Sequence, residues 1–377
     1  KAIESVVQTL GWNCPSRPRH RGCGCESAKD GLAAAPQGRA SNGVSRRHNA
    51  TRHDAPTDAL RFASRLNDKE AGLAPAVKRS RCSRGEGGVC IFCGAAYSRG
   101  VTVIKTIADC RAQRWKLGKV ALVPTMGALH AGHVSLIDLA HERDAAVVVS
   151  IFVNPTQFGP REDYNRYPRP IEEDLAKCEQ AKVDFVFLPS AEEMYRPGLP
   201  EIVVDLPHLT SILEGKHRPG HFRGVCQVVA KLLNIVKPDV AVFGQKDFQQ
   251  LRVIDAMVEA LDWPIEILPA PTLRDPDGMA MSSRNQYLTA DDRRRGLAIN
   301  KALFAAQAEF ERGINQTNRL LTTMQRILLE PHLHIDYIAA VDALSLKNVE
   351  VISEPTVLAI AARVNNTRLI DNVVLGP

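Results

Sequence analysis

Two histidines stand three positions apart in Pro124-Thr-Met126-Gly127-Ala128-Leu129-His130-Ala131-Gly132-His133. Imidazole N–H groups donate hydrogen bonds to phosphate oxygens as negative charge builds in phosphoryl or nucleotidyl transfer. Gly127 and Gly132 let the backbone approach a ligand closely. A zinc pair or a pair of surface histidines is the competing reading, and zinc lacks a third ligand nearby in sequence. A second stretch is Gly244-Gln245-Lys246-Asp247-Phe-Gln-Gln250. Here Lys246 is a point charge for phosphate, Asp247 a ribose or metal contact, and Gln250 a polar substrate contact. Taken alone, it reads better as a helix start with an acid at its positive end, worth up to about 1 kcal/mol. A third, Asp277-Gly-Met-Ala-Met281-Ser282-Ser283-Arg284-Asn285, ends a Gly/Ser loop in two hydroxyls and a guanidinium. That set suits a triphosphate clamp on a closing lid, or else a polar interdomain linker. Gln157 in Asn154-Pro-Thr-Gln-Phe158 is a fourth candidate, and Arg218-Pro-Gly-His-Phe-Arg-Gly224 a fifth, suited to an anion or a covering loop. Glu172-Glu173-Asp174 reads as a helix N-terminal acid run in preference to a Mg²⁺ cluster.

These stretches lie where strands give way to helices. Residues 119–124 are continuously apolar, as in a strand buried on both faces. Helical spacing follows over 134–140, and 145–153 is a second buried-type strand. Strand, helix, strand in so short a span is a βαβ unit, with parallel pairing and a right-handed crossover. The alternation continues with helix 171–180, strand 184–188, helix 226–236, strand 240–243, helix 248–261 and strand 265–268. An α/β, Rossmann-like, doubly wound parallel sheet over 101–272 is therefore expected. Ligands bind such sheets at the carboxyl edge, where Gln157, the histidine stretch and the lysine stretch all belong. Helix N-termini there suit phosphate. After Leu273 the pattern changes to helices at 290–312 and 315–329 and strands at 334–341 and 356–364. Helices segregated from strands predict a smaller α+β domain over 273–377.

The 377 residues, 45% hydrophobic and 24% charged, suffice for two domains with their own cores. No run approaches 18 apolar residues, so no membrane partner is expected. The net charge of +6 is uneven: residues 1–100 carry 17 Lys+Arg against 8 Asp+Glu, and the rest 31 against 34. The basic segment is rich in Arg, Ser, Gly, Ala and Pro without periodicity, and is expected to be disordered. A transit peptide, a basic nucleic-acid tail and an over-extended translation compete for it. With the first methionine at Met126, a leader or artefact is preferred, and no nucleic-acid partner is expected. Six of the nine cysteines precede residue 101; Cys90-Ile-Phe-Cys93 has zinc half-site spacing but lacks a matched second pair. The cysteine count and scatter fit a reducing compartment.

Together these motifs carry a resemblance over about 101–377. The chain resembles the pantoate–β-alanine ligase (pantothenate synthetase) family, in the nucleotidyltransferase group with HIGH and KMSKS signatures. His130-Ala-Gly-His133 is similar to the first signature, and Met281-Ser-Ser-Arg284 sits where the second is expected. Ser150-Ile-Phe-Val-Asn-Pro-Thr-Gln-Phe158 and Arg368-Leu-Ile-Asp-Asn372 extend the match. The resemblance implies condensation of (R)-pantoate with β-alanine through pantoyl adenylate, releasing AMP and pyrophosphate, with ATP as substrate and Mg²⁺ accompanying it. It implies an ATP site of Met126 to His133, Gly244 to Asp247, Leu273 and Met281 to Arg284. His130, His133 and Lys246 would act at the phosphates, His133 matching a position described as proton donor. Gln157 and Gln250 would hold pantoate. A cytoplasmic homodimer is implied. Two departures stand out: Asn365 and Gln245 replace a common Gly and Glu. Asn tolerates a left-handed backbone, and Lys246 and Asp247 remain. A related transferase, adenylylating a phosphate ester, is the nearest alternative.

Overall fold

The computed structural model describes residues 100–160 and 162–376. The expected basic extension and the Cys90–Cys93 half-site lie outside the described residues. Six parallel strands form the first sheet: β1 (Thr102–Ile104), β2 (Val120–Thr125), β3 (Ala146–Ile151), β4 (Phe185–Phe187), β5 (Val240–Gly244) and β6 (Glu266–Ala270). Their order is β1-β4-β3-β2-β5-β6. Val120 to Val123 and Val147 to Val149 are fully buried, as strands covered on both faces must be.

The covering helices are α1 (Ile107–Arg114), α2 (Ala131–His141), α3 (Ile171–Gln180), α4 (His221–Val236) and α5 (Phe248–Ala260). Ile137 of α2 and Cys178 of α3 pack on Val123, Val149 and Val186. Cys110 of α1, Phe222 and Leu233 of α4 and Ile254 of α5 pack on the opposite face with Leu122, Val148 and Phe185. The winding reverses between β2 and β5, which pair through Ala121–Val240 and Leu122–Ala241. A doubly wound sheet opens a crevice at the carboxyl ends flanking such a reversal. The chain following β2 and the chain following β5 are the histidine and lysine stretches.

The rest of the described chain contains α6 (Ala290–Glu311), α7 (Thr317–Ile327) and the antiparallel strands β7 (Leu333–Asp342), β8 (Thr356–Val364) and β9 (Thr367–Leu375). β8 is buried on both sides. Leu358 and Ile360 pack against Ala302 and Leu320 of the helices, while Val357 and Ala359 pack with Phe248 of α5. That second contact seats the small sheet against the large one. β9 lay beyond the strands expected from sequence. Its apolar pattern breaks at Asp371 and Asn372, which are nonetheless buried because both have partners. Asp371 receives both Nη groups of Arg274, and the Asn372 amide donates to the carbonyls of Gln245 and Lys246 at 2.9 Å. The β8–β9 turn places Asn365 at φ +51°, the left-handed conformation that asparagine tolerates.

Candidate active site

The loop from β2 into α2 is fixed from below. Gly127 has φ +81° and Ala128 φ +50°, and a Cβ on Gly127 would sit 3.0 Å from Asp174 Oδ2. The Asp174 carboxylate reaches across from α3 and accepts the amides of Ala128 at 2.8 Å and Leu129 at 2.6 Å. The acid run at 172–174 is thus the start of α3, with its third member buried as a clamp on this loop. Among the described residues no group of three or more His, Cys, Asp and Glu is arranged to hold a metal.

His130 and His133 cap α2 reciprocally. Gly132 donates its amide to His130 Nδ1 at 3.1 Å, and His130 donates its own amide to His133 Nδ1 at 3.3 Å. The rings lie 4.1 Å apart between centroids. Burial, and then the cation of Lys246, lowers His130 to about 4. Burial, and then His130, lowers His133 to about 3. Both imidazoles are therefore neutral at pH 7. An Nδ1 that accepts an amide proton carries none itself, so each ring keeps its proton on Nε2.

The lysine stretch forms one 3-10 turn after β5, and Asp247 caps α5 by accepting the Gln250 amide at 3.2 Å. Burial pulls the Lys246 ammonium below its ordinary range against the opposing pull of Asp247. Burial also pushes the Asp247 carboxyl up. In the third stretch, residues 273–281 form a tied hairpin. Arg274 bridges Ala280, and Arg293 holds Asp275 and Asp277. Arg284 forks onto Asp163, and Ser283 donates to the carbonyl of Ala128 at 3.1 Å.

These parts enclose one cleft of about 720 Å³ between the two sheets. Of the residues singled out from sequence, Met126, His130, Gly132, His133, Gly244, Lys246, Asp247, Gln250, Leu273 and Met281 to Arg284 line it. Gly127, Ala128, Leu129, Ala131 and Gln245 are not among its lining residues. Gln157 lies just behind. Its Nε2 donates to the sulfur of cleft-lining Met126 at 3.2 Å, and its Oε1 accepts from Asn154 Nδ2 at 3.1 Å. Asn154 is fixed in turn by the Tyr195 hydroxyl at 2.7 Å and the Gly224 carbonyl at 3.1 Å.

The Arg218–Gly224 stretch is a buttress for Gln157. Arg218 pairs with Glu162, and His221 Nδ1 donates to the Gln157 carbonyl at 2.8 Å. A Cβ on Gly224 would lie 2.4 Å from the Thr156 carbonyl oxygen, so only glycine lets α4 start there. Sequence reasoning passed over Asp163, Asp174 as a clamp, and the β9 wall from Thr367 to Asp371. A signal for β9 was present in Arg368-Leu-Ile-Asp-Asn372. The two aspartates had none, since each acts on a loop far away in sequence.

Comparison with known proteins agrees with this fold. The profile of the family described as "Pantoate-beta-alanine ligase" matches residues 102–374. Pantothenate synthetase of Moorella thermoacetica is 49% identical over 278 residues, covering 72% of this chain and 98% of that protein. The crystal structure of pantothenate synthetase from Thermus thermophilus superposes with a TM-score of 0.70 at 40% identity, covering 74% of this chain and all of that one. That of pantoate-beta-alanine ligase from Francisella tularensis, complexed with beta-gamma ATP and beta-alanine, gives 0.59 at 34% identity, covering 73% and 97%. With a doubly wound sheet, paired histidines at its crevice and a family match spanning nearly all the described residues, the chain belongs to the pantoate–β-alanine ligase family.

Proposed function

We propose that this chain condenses (R)-pantoate with β-alanine in two steps, using ATP. A pantoate carboxylate oxygen attacks the α-phosphorus, pyrophosphate leaves, and a pantoyl–AMP mixed anhydride remains. The β-alanine amine then attacks the acyl carbon, loses a proton, and AMP leaves with the bridging oxygen. Adenylation supplies the leaving group that a carboxylate lacks, so the protein's work is positioning and charge stabilisation. One observation carries this reading: two neutral imidazoles with Nδ1 occupied line the same cleft as Lys246 and the 281–284 loop. His130 and His133 offer Nε2–H donors to phosphate oxygens. In this reading His133 donates a hydrogen bond instead of a whole proton. Lys246 and Arg284 neutralise phosphate charge, Gln157 and Gln250 orient pantoate, and residues 126–133, 244–247, Leu273 and 281–284 surround ATP. The part from 273 onward serves as the lid over 101–272.

Mg²⁺ would arrive with the triphosphate. It favours phosphate oxygens, waters and one or two carboxylates over an all-protein cage. The cleft fits that demand: Glu162, Asp163, Glu214 and Asp371 are paired with arginines, and Asp247 has no such partner among the described residues. Asp247 is the residue to hold it, and the ion would supply charge neutralisation. The chain is proposed to be cytoplasmic and to assemble as a homodimer, and light scattering of the purified chain tests the dimer. No described helix is long and apolar enough to cross a membrane.

The deciding assay measures AMP release from ATP, Mg²⁺ and (R)-pantoate, with and without β-alanine. AMP appearing only with both co-substrates is the expected result. A folded chain with no pantoate-dependent turnover would overturn the reading and point to a phosphate-ester acceptor.

A further inference from the structure

Arg284 is already gripped. Its Nε and Nη2 donate to Asp163 Oδ2 and Oδ1, each at 2.9 Å, in a bidentate fork. Both residues line the cleft, and their side chains are 27% and 23% exposed. The contact ties the segment around 162–167 to the loop that leads into the second sheet. Neighbouring contacts run the same way. Tyr287 donates its hydroxyl to the Arg166 carbonyl at 3.1 Å, and the Arg284 guanidinium lies 5.8 Å from the Tyr167 ring centroid.

Other ion pairs around the cleft are built into larger supports. Arg218, paired with Glu162, also engages His221, and in the Glu214–Arg368 pair Glu214 also accepts from Tyr337 and Arg368 also donates to Asp336. The Asp163 carboxylate, among the described residues, accepts hydrogen bonds from Arg284 alone. A carboxylate presents two oxygens to the guanidinium fork in the same planar arrangement as one edge of a phosphate. An anion that takes the Nε–Nη2 edge of Arg284, the edge that Asp163 occupies, must therefore displace Asp163 first.

We propose that Asp163 is a place-holder for polyphosphate: it occupies the Arg284 fork in the free enzyme, yields it to the triphosphate, and retakes it as pyrophosphate departs. This rests on the reading of Arg284 as a triphosphate contact. Asp163 is then a residue that sets how tightly the cleft keeps polyphosphate, and it touches no reacting atom. The apparent affinity is reduced by the fraction of molecules whose Arg284 is free. For a partly exposed pair that is a small factor, roughly three- to fivefold.

The test uses the full chain with Asp163→Asn and Asp163→Ser. The KM for ATP and the inhibition constant of inorganic pyrophosphate are measured at saturating pantoate and β-alanine. Both constants should fall by roughly three- to fivefold, with the KM for β-alanine unmoved. Arg284→Ala should raise both, and Asp163→Asn added to it should change neither further. A KM for ATP that rises or stays level in both Asp163 variants, while Arg284→Ala weakens binding, overturns the place-holder and leaves Arg284 as assigned. If Arg284→Ala moves neither constant, the assignment of Arg284 fails and takes the place-holder with it. A merely structural Asp163 would not tighten binding of either ligand.

Discussion

At the scale of the residue, the histidine pair makes an unusual demand on pH. Both rings hold their neutral form down to about 4 and about 3, chiefly through burial. Pantoate-dependent exchange of pyrophosphate into ATP isolates the adenylation half-reaction. Its rate should show no histidine limb near pH 6.5, the ordinary imidazole value. A limb centred there would mean that one ring works as imidazolium. His133→Ala should abolish the exchange with the far-ultraviolet spectrum unchanged. His133→Gln, which keeps a donor at a similar reach, should retain more activity than the alanine variant. Buried His221 is lowered to about 4, first by burial and then by Arg218. Between about pH 6.5 and about 4 the unfolded chain takes up a proton that the folded chain refuses. Stability should therefore fall over that window by up to about 1.4 kcal/mol per pH unit for this group, and be indifferent above it. Urea midpoints at pH 7 and pH 5, for the parent chain and His221→Gln, measure the difference.

At the scale of the element, one carboxylate holds the reactive loop. Asp174 accepts two amides from residues held at or beside left-handed backbone. Asp174→Asn would set an NH₂ against one of those N–H groups. A loss of about 1–3 kcal/mol should appear in thermal unfolding, together with a larger proportional loss of adenylation than of ATP binding. Equal losses in both would mean that the clamp serves stability alone. The strands of the parallel sheet were legible because double-sided burial leaves continuous apolar runs such as Val147 to Val149. The loops after β2, β3 and β5 were legible by the carboxyl-edge rule, and the sheet order brings all three to one crevice. β9 was not legible as a strand, because Asp371 and Asn372 interrupt its apolar pattern and only their distant partners make them buriable. Asp163 was illegible as a site residue for the same reason, and Asp174, visible only as the end of the acid run 172–174, was illegible as a clamp. Their roles depend on Arg284 and on residues 128–129, more than a hundred and more than forty positions away.

At the scale of the whole molecule, the two sheets are joined by an apolar seam and a buried ionic knot. Phe248 packs among Val341, Val357 and Ala359. Glu214, 3% exposed in the first part, receives the Arg368 guanidinium and, at 2.9 Å, the Tyr337 hydroxyl from the second. Removing one partner of a buried pair leaves a stranded charge and costs about 3–5 kcal/mol. Arg368→Met should lower the unfolding midpoint on that scale, and Glu214→Gln by less, since Arg368 keeps its pair with Asp336 at 2.6 Å. A neutral effect of Arg368→Met would show that water reaches the knot. The cleft has a further consequence. One wall belongs to the parallel sheet and the other to β9 and the 281–287 loop, so neither sheet carries a complete site. Parting the seam erases the binding geometry while each sheet keeps its own core. Turnover should then vanish at a lower denaturant concentration than the helical signal, which makes the enzyme's own activity a gauge of whether its halves are docked.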